Sequence, residues 1–361
     1  MKICIAALVL QENDAIGNDV AHQLALLNSK DIPTVVYAQQ VTNSRMTAHV
    51  IDENALFELI DDPDNILIYH HGGCWDAGQQ ILEKARCKIF IKYHNITPSD
   101  FFKPYSSFHE TYCRQGMEQT LAIAGLPGVT KFLCDSRFNA RDFLQQNVDA
   151  SKITIVPPFH KLDDFKTAEI KPDLAEQLDD GKVNLLFVGR LVPNKGHVHL
   201  IRVIDTYRAM YGTNIRLTIL GGVDPGLGAY GDELNQLIQL NRLEEMVKIR
   251  GSVTFDELHT YYSVSDIFLL MSGHEGFCLP VLEAQFHSLP VVALGTSAVP
   301  ETMGENQLVF ATPDYQRFAA AIHVLSENKD YASYIASQGK KNIDRFSNSI
   351  LEEKFLRAVL T

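Results

Sequence analysis

Residues 266–284 read DIFLLMSGHEGFCLPVLEA. The run Asp266–Ser272 is short, apolar and bounded by a glycine, which is the pattern of a buried strand rather than a helix. Gly273 interrupts it, and a helix opens near Pro280, whose missing N–H costs nothing in a first turn. A strand that feeds a glycine loop and then a helix is one βα unit of a parallel sheet. The loop GHEG therefore lies beyond the strand's carboxyl end, where ligands bind in such sheets. Glu275 and Glu283 bracket seven residues that carry no charge. Between them, the N–H groups of Phe277, Cys278 and Leu279, just past Gly276, would point outward at a helix N-terminus and attract an anion. Carboxylates at either end of an anion site suit the layout of a nucleotide sugar: ribose hydroxyls, diphosphate, sugar hydroxyls. The plainer reading is that both carboxylates merely complement the helix dipole.

The same alternation runs outward in both directions. Strands are expected near Lys2–Leu10, Thr34–Ala38, Ile66–His70, Ile89–Tyr93, Lys131–Cys134 and Ile153–Val156. A second set follows near Asn184–Val188, Arg216–Leu220, Val247–Ile249, Ile267–Met271, Val291–Ala293 and Leu308–Phe310. Helix-period segments such as Asn18–Asn28 and Glu110–Ala124 separate them. Thr254 and Glu257 form a capping box that opens one of the helices. The stretch PPFHKLDDFKTAEIKPDLAEQLDDGK has no strand signal and reads as a linker. The expected organisation is an N-terminal Rossmann-like domain over 1–165 and a second over 166–335. Helices over 336–361 are expected to cross back to the first. The fold class is α/β, two doubly wound domains facing across a cleft.

In LLFVGRLVPNKGH, residues 185–197, an apolar strand ends at Val188 and Gly189 turns the chain. Arg190 and Lys195 follow, one a bidentate fork and the other a point charge, and both suit a diphosphate. Gly196 then lets a helix start close to a ligand. The alternative is a pair of solvated loop charges. No P-loop is present, and no G-x-G-x-x-G follows the first strand, which weighs against a nicotinamide-dependent oxidoreductase. Gly17, in QENDAIGNDV, is placed between the first strand and a helix capped by Asn or Asp. His94, in IKYHNITP, falls at a strand's carboxyl end, either in the cleft against a sugar or as a satisfied core histidine; His70 and His71 accompany it.

Composition excludes several classes. The chain has 361 residues, 46% apolar and 21% charged, with a net charge of −12 shared by both halves. That disfavours non-specific nucleic-acid binding. Six scattered cysteines without a C-x-x-C pair suggest reduced thiols in a cytoplasmic protein. No 18-residue apolar run spans a membrane. Lys84, Arg86, Lys88 and Lys92 are either a charged strand edge exposed to solvent or a patch facing an anionic membrane. Asp62-Pro-Asp64 precedes a strand and reads as a polar turn, His197 and His199 fall on different faces of a helix, and no metal site is expected. GLGAYG, residues 226–231, reads as a flexible loop. Phe101, Phe102, Tyr105 and Phe108 are either an acceptor-contacting surface or core.

The pairs Glu275–Glu283, Gly189-Arg190 and Lys195-Gly196, with SLPVVALGTSAVPE at 288–301, resemble the retaining family 4 glycosyltransferases of the GT-B fold. The resemblance is close over about 183–312 and looser before that. It implies that Glu275 contacts the donor sugar, Glu283 the ribose, and Arg190 and Lys195 the diphosphate. It also implies that Val253 packs against the base and that Gly17 approaches the diphosphate. Ser288 departs from the pattern, since many members carry glycine there. YHNITP resembles a subset of bacterial mannosyltransferases of surface-polysaccharide assembly, such as lipopolysaccharide O-antigen. The implied activity moves a hexose, mannose from GDP-mannose in the first instance, onto a glycan or polyprenyl-linked oligosaccharide. It needs no cofactor or metal, at the inner face of a membrane. The alternatives are a UDP-sugar-dependent enzyme of the same fold and an inactive binding subunit.

Overall fold

Two parallel sheets organise the chain, seen in a computed structural model that describes residues 1–11, 14–42 and 46–361. Glu12 and Asn13, in the first expected loop, lie outside the described residues. The first sheet contains β1 (Ile3–Leu10), β2 (Thr34–Val41), β3 (Ile66–His71), β4 (Lys88–Tyr93), β5 (Val129–Cys134) and β6 (Ile153–Ile155), in the order β2-β1-β3-β4-β5-β6. The second contains β7 (Val183–Val188), β8 (Ile215–Leu220), β9 (Val247–Ile249), β10 (Ile267–Leu270), β11 (Val291–Leu294) and β12 (Leu308–Phe310), in the order β12-β11-β10-β7-β8-β9. All pairings are parallel. The near-continuous apolar runs follow from helices covering both faces: β3 and β8 are buried at every position.

The chain divides into two compact units. Unit 1 comprises Met1–Ser99, Glu110–His160 and Phe346–Thr361, and unit 2 comprises Asp100–His109 and Lys161–Arg345. The first boundary falls at 160/161, where 165/166 is expected from sequence. The C-terminal return begins at Phe346 rather than 336, because helix Lys329–Ile343 packs on the helix Leu279–Phe286 of unit 2. The last helix, Asn348–Leu360, places Leu351, Phe355, Ala358 and Val359 in one cluster with Ile3, Ile5 and Ile68. The expected linker is not bare coil. It holds a helix, Pro172–Leu178, and buries Leu162 and Phe165, whose ring stacks on Phe255.

Each sheet has a point where strand order reverses: between β1 and β3 in unit 1, and between β7 and β10 in unit 2. Loops leaving the carboxyl ends on either side of such a point diverge and leave a crevice. Unit 2 sends the Gly189–Gly196 loop and the GHEG loop into its crevice, because β7 and β10 are neighbours (Leu185 beside Ile267).

Three local expectations need correction. GLGAYG is not a flexible loop: Asp224 caps a 3-10 turn at Pro225–Leu227 and a helix runs from Gly228 to Leu240. Gly17 lies inside the first turn of helix Ala15–Ser29, capped by Asp14, not in the loop before it. A Cβ there would strike the carbonyl of Gln11, so close packing explains the glycine. Finally, the Lys84–Lys92 cluster is solvated except at Lys92. β4 is an interior strand, and Lys92 is wholly buried against Asp135, whereas Lys84, Arg86 and Lys88 are exposed to water as expected.

Candidate functional site

Gly196 is the hinge of the site in unit 2. It caps the helix His197–Tyr211 in a left-handed conformation at φ 72°, and a Cβ would collide with the carbonyl of Met271. Only glycine meets both conditions without strain. The approach holds the loop after β7 against the end of β10. Asn194 then stitches the loops together: its carbonyl accepts from the Gly273 N–H at 2.8 Å, and its side chain donates to the His274 carbonyl at 3.1 Å. Gly273 itself leaves room for the Phe101 ring, which packs 2.9 Å from where its Cβ would stand.

Lys195 and Glu275, expected as separate ligand contacts, are brought directly together. The ammonium donates to both carboxylate oxygens at 2.8 Å. Glu275 is buried, and its N–H donates to Ser297 Oγ at 2.7 Å. Gly189 has the Phe187 ring 3.1 Å from an added Cβ, so the turn is packed tight. Arg190 is exposed, and Val253 is half-buried in the loop after β9. Beyond GHEG, Cys278 caps the helix Leu279–Phe286 at φ 81°, which puts Pro280 at the second helical position. Cys278 is buried, and its thiol is pushed well up by burial and by Glu275. Thr302 Oγ1 donates to the Phe277 carbonyl and anchors the segment beyond Gly276 from the side.

Glu283 lies one turn into that helix. Burial pushes its carboxyl up from the ordinary value, and a 2.8 Å hydrogen bond donated by Tyr262 partly offsets this. From sequence, Tyr262 reads only as a helix-packing residue. The spacing carries no signal for its pairing with Glu283, since the two meet only through tertiary packing. Asn194, Ser297 and Thr302 escape a sequence reading for the same reason. A carboxyl raised in the folded state lowers stability as pH climbs from the unfolded value toward the folded one, because the unfolded chain ionises first. Glu283→Gln is therefore expected to stabilise the protein by about 1 kcal/mol at pH 7 and not at pH 4, measured by urea unfolding.

His94 and Gly17 both belong to unit 1. Gly72 packs between Ile16 and the His94 side chain, which ties the first turn of helix Ala15–Ser29 to the end of β4. Both His94 nitrogens are engaged: Nδ1 with Asp135 at 2.9 Å and Nε2 with His70 Nδ1 at 2.9 Å. Its side chain is 7% exposed. Asp62 accepts from the Asp64 N–H at 3.0 Å, a polar turn as expected. His197 and His199 pair separately with Tyr230 and Tyr315. Of the four aromatics, Phe102 is buried, Tyr105 donates to Glu233 at 2.6 Å, and Phe108 is 70% exposed.

Residues 171–342 match the sequence profile of the family described as glycosyl transferases group 1. A D-inositol 3-phosphate glycosyltransferase of Kineococcus radiotolerans is 32% identical over 40% of this chain and 34% of its own. A phosphatidylinositol N-acetylglucosaminyltransferase component of Arabidopsis thaliana is 25% identical over 55% of this chain and 42% of its own. The chain thus spans less than half the length of these curated relatives. Among solved structures, Anabaena HepE in complex with UDP-glucose superposes with a TM-score of 0.74 at 17% identity, over 100% of this chain and 99% of that one. WaaG, a glycosyltransferase involved in lipopolysaccharide biosynthesis, superposes at 0.71 and 12% identity over 99% of each chain. These superpositions establish the fold as GT-B.

Proposed function

From the match of residues 171–342 to the glycosyl transferases group 1 profile, we propose that this chain is a retaining, metal-independent glycosyltransferase that uses a nucleotide-linked hexose. The observation that carries the reading is the Lys195–Glu275 pair, held by Asn194 and Gly196 at the crevice of unit 2. A diphosphate arriving there takes hydrogen bonds from Lys195, from Arg190 and from the amides over Phe277–Leu279. Glu275 is left to accept from sugar hydroxyls, and Glu283, with Tyr262, from the ribose. Val253 packs against the base.

In the transfer, the bond from the anomeric carbon to the diphosphate breaks and a bond to the acceptor hydroxyl forms on the same face. The hydroxyl proton passes to the departing phosphate oxygen. Charge growing on that oxygen meets donors already in place, which stabilise the transition state more than the ground state. The acceptor is a glycan or a polyprenyl-linked oligosaccharide, met at the cytoplasmic face of a membrane. This part rests on the YHNITP resemblance. Among the described residues no helix is long and apolar enough to cross a membrane.

Two donors have support. GDP-mannose follows from the YHNITP resemblance, and a UDP-hexose from the UDP-glucose held by the Anabaena structural neighbour. Thermal unfolding against GDP-, UDP- and ADP-linked sugars separates them. The true donor at a hundredfold excess over its Kd is expected to raise the midpoint by about 5 °C or more, with no change when chelator is added. Turnover abolished by chelator, or no shift with any nucleotide sugar, would overturn the proposal.

A further inference from the structure

The crevice of unit 1 holds a buried set of charges that the reading above does not use. Asp19, on helix Ala15–Ser29, and Lys92, on β4, are both 0% exposed, and Asp135, just past β5, is 4% exposed. Lys92 donates to Asp135 and to the Val156 carbonyl, and its nitrogen stands 3.7 Å from Asp19 Oδ2. That oxygen has no hydrogen-bond partner, yet His94 Nε2 is 3.9 Å away and His70 Nδ1 4.0 Å. Two carboxylates against one ammonium leave a net negative charge where water cannot reach, an arrangement that costs several kcal/mol unless compensated.

The hydrogen-bond directions say where the compensation comes from. Asp135 Oδ2 can only accept, so His94 Nδ1 carries a hydrogen. Gln23 Oε1 accepts from His70 Nε2 at 3.1 Å, which leaves His70 Nδ1 bare in the neutral ring. Burial, with His94 and Lys92 beside it, keeps His70 neutral. The bare nitrogen sits 2.9 Å from His94 Nε2, which must then carry the second hydrogen. An imidazolium at His94 also brings the buried charge to zero.

Asp19, His70 and His94 could as well be drawn as metal ligands, since their donor atoms lie within 4.8 Å of one another. Zinc would need bare nitrogens on both rings and about 2.0–2.1 Å to each. It would also sit beside the Lys92 ammonium and turn a balanced site into a positively charged one. A proton satisfies every group that a divalent ion would leave in conflict.

We propose that His94 is a doubly protonated positioning residue, locked between Asp135 and His70, and that the Asp19–His70–His94 triangle holds this proton and not a metal ion. His94 then has no lone pair with which to accept a proton. It cannot serve as a base toward the acceptor, and its cation fixes the end of β4, where Asn95 turns the chain at φ 75°. Among the described residues, the groups around it are Asp19 from the helix after β1, His70 and His71 from β3, Lys92 from its own strand, and Asp135 just past β5.

The test is a nitrogen-15 correlation spectrum of the full chain labelled in its histidine rings, followed from pH 6 to 9, with zinc titrated separately. One ring, missing in His94→Gln, is expected to show two protonated nitrogens at pH 7. Asp19→Asn is expected to lower the pH at which the second proton leaves by about one unit. Should His94→Gln fail to fold, the same ring is identified as the one that Asp19→Asn shifts. A ring with one bare nitrogen at pH 7, or one equivalent of zinc bound tightly and lost in His70→Gln, overturns the proposal. A kinetic arm rests on glycosyl transfer being the activity: the rate is expected to fall as His94 loses its proton, whereas a base would make it rise, which would also overturn the proposal. The ring spectrum needs no donor, so it fails or succeeds independently of that reading.

Discussion

Lys195→Ala is expected to lower glycosyl transfer by about 100- to 1,000-fold in a chain that still folds, measured with saturating donor and acceptor. The magnitude is that of removing one preorganised donor from a developing oxyanion. A second effect accompanies it. Lys195 neutralises a Glu275 that is 6% exposed, so its loss leaves a buried carboxylate unpaired and destabilises unit 2 by about 2 kcal/mol, discounted because the Lys195 side chain is itself 19% exposed. The double variant Lys195→Ala, Glu275→Gln separates the two. Stability should return, since no charge is stranded, and the rate should not. If the rate returned with stability, Lys195 would be a structural cation and the phosphate assignment would fail. Arg190→Ala and Glu275→Gln alone are each expected to cost at least about tenfold, a smaller loss than a fully preorganised donor.

The other large effect is on unit 1. Lys92→Met removes the ammonium from a site that also holds Asp19 and Asp135, both buried. Breaking a buried pair from one side costs about 3–5 kcal/mol, a large part of the ~5–15 kcal/mol that holds a domain together. The expected result is an early-unfolding unit 1, seen as a split transition in guanidinium. Lys92→Met with Asp135→Asn should recover part of the loss, because the stranded charge is gone. The pH dependence follows. Burial alone would push the Asp135 carboxyl up, but His94 and Lys92 outweigh it and hold it below its ordinary value. Its contribution is therefore present above the unfolded carboxylate value and lost as pH falls through the lower folded one. For Lys92, burial opposes the charge, but Asp135 and Asp19 outweigh it and raise the ammonium. That contribution is present below the unfolded lysine value and fades as pH rises through the folded one. The Lys92→Met chain should lose the alkaline limb and keep a weakened acid one, since His94 still faces Asp135. An unchanged guanidinium midpoint would mean that the network carries no stability.

Much of the site could be read in the residues themselves. β10 and the helix after it follow from apolar runs, one glycine and one proline, and Glu275 and Glu283 fall where that reading puts them. Gly196 was legible as a helix start. Its positive φ and its contact with Met271 were not, because both depend on a strand far along the chain. Ser288, where the resemblance calls for glycine, adopts φ 59°. The backbone demand is kept there although the residue type is not.

By itself, the sequence determined the alternation of strand and helix, two sheets of parallel type, and the position of the loops Gly189–Gly196 and Gly273–Glu283 at the carboxyl ends of two strands. These are local properties, set by periodicity, caps and turn residues within a few positions of each other. Only the tertiary structure decided that Lys195 and Glu275 share one ion pair, that Tyr262 donates to Glu283, and that Lys92 is buried rather than solvated. Each of those depends on sheet order, which places β10 beside β7 and β4 between β3 and β5. Strand order is settled by packing among segments far apart in the chain, and no window of residues carries it.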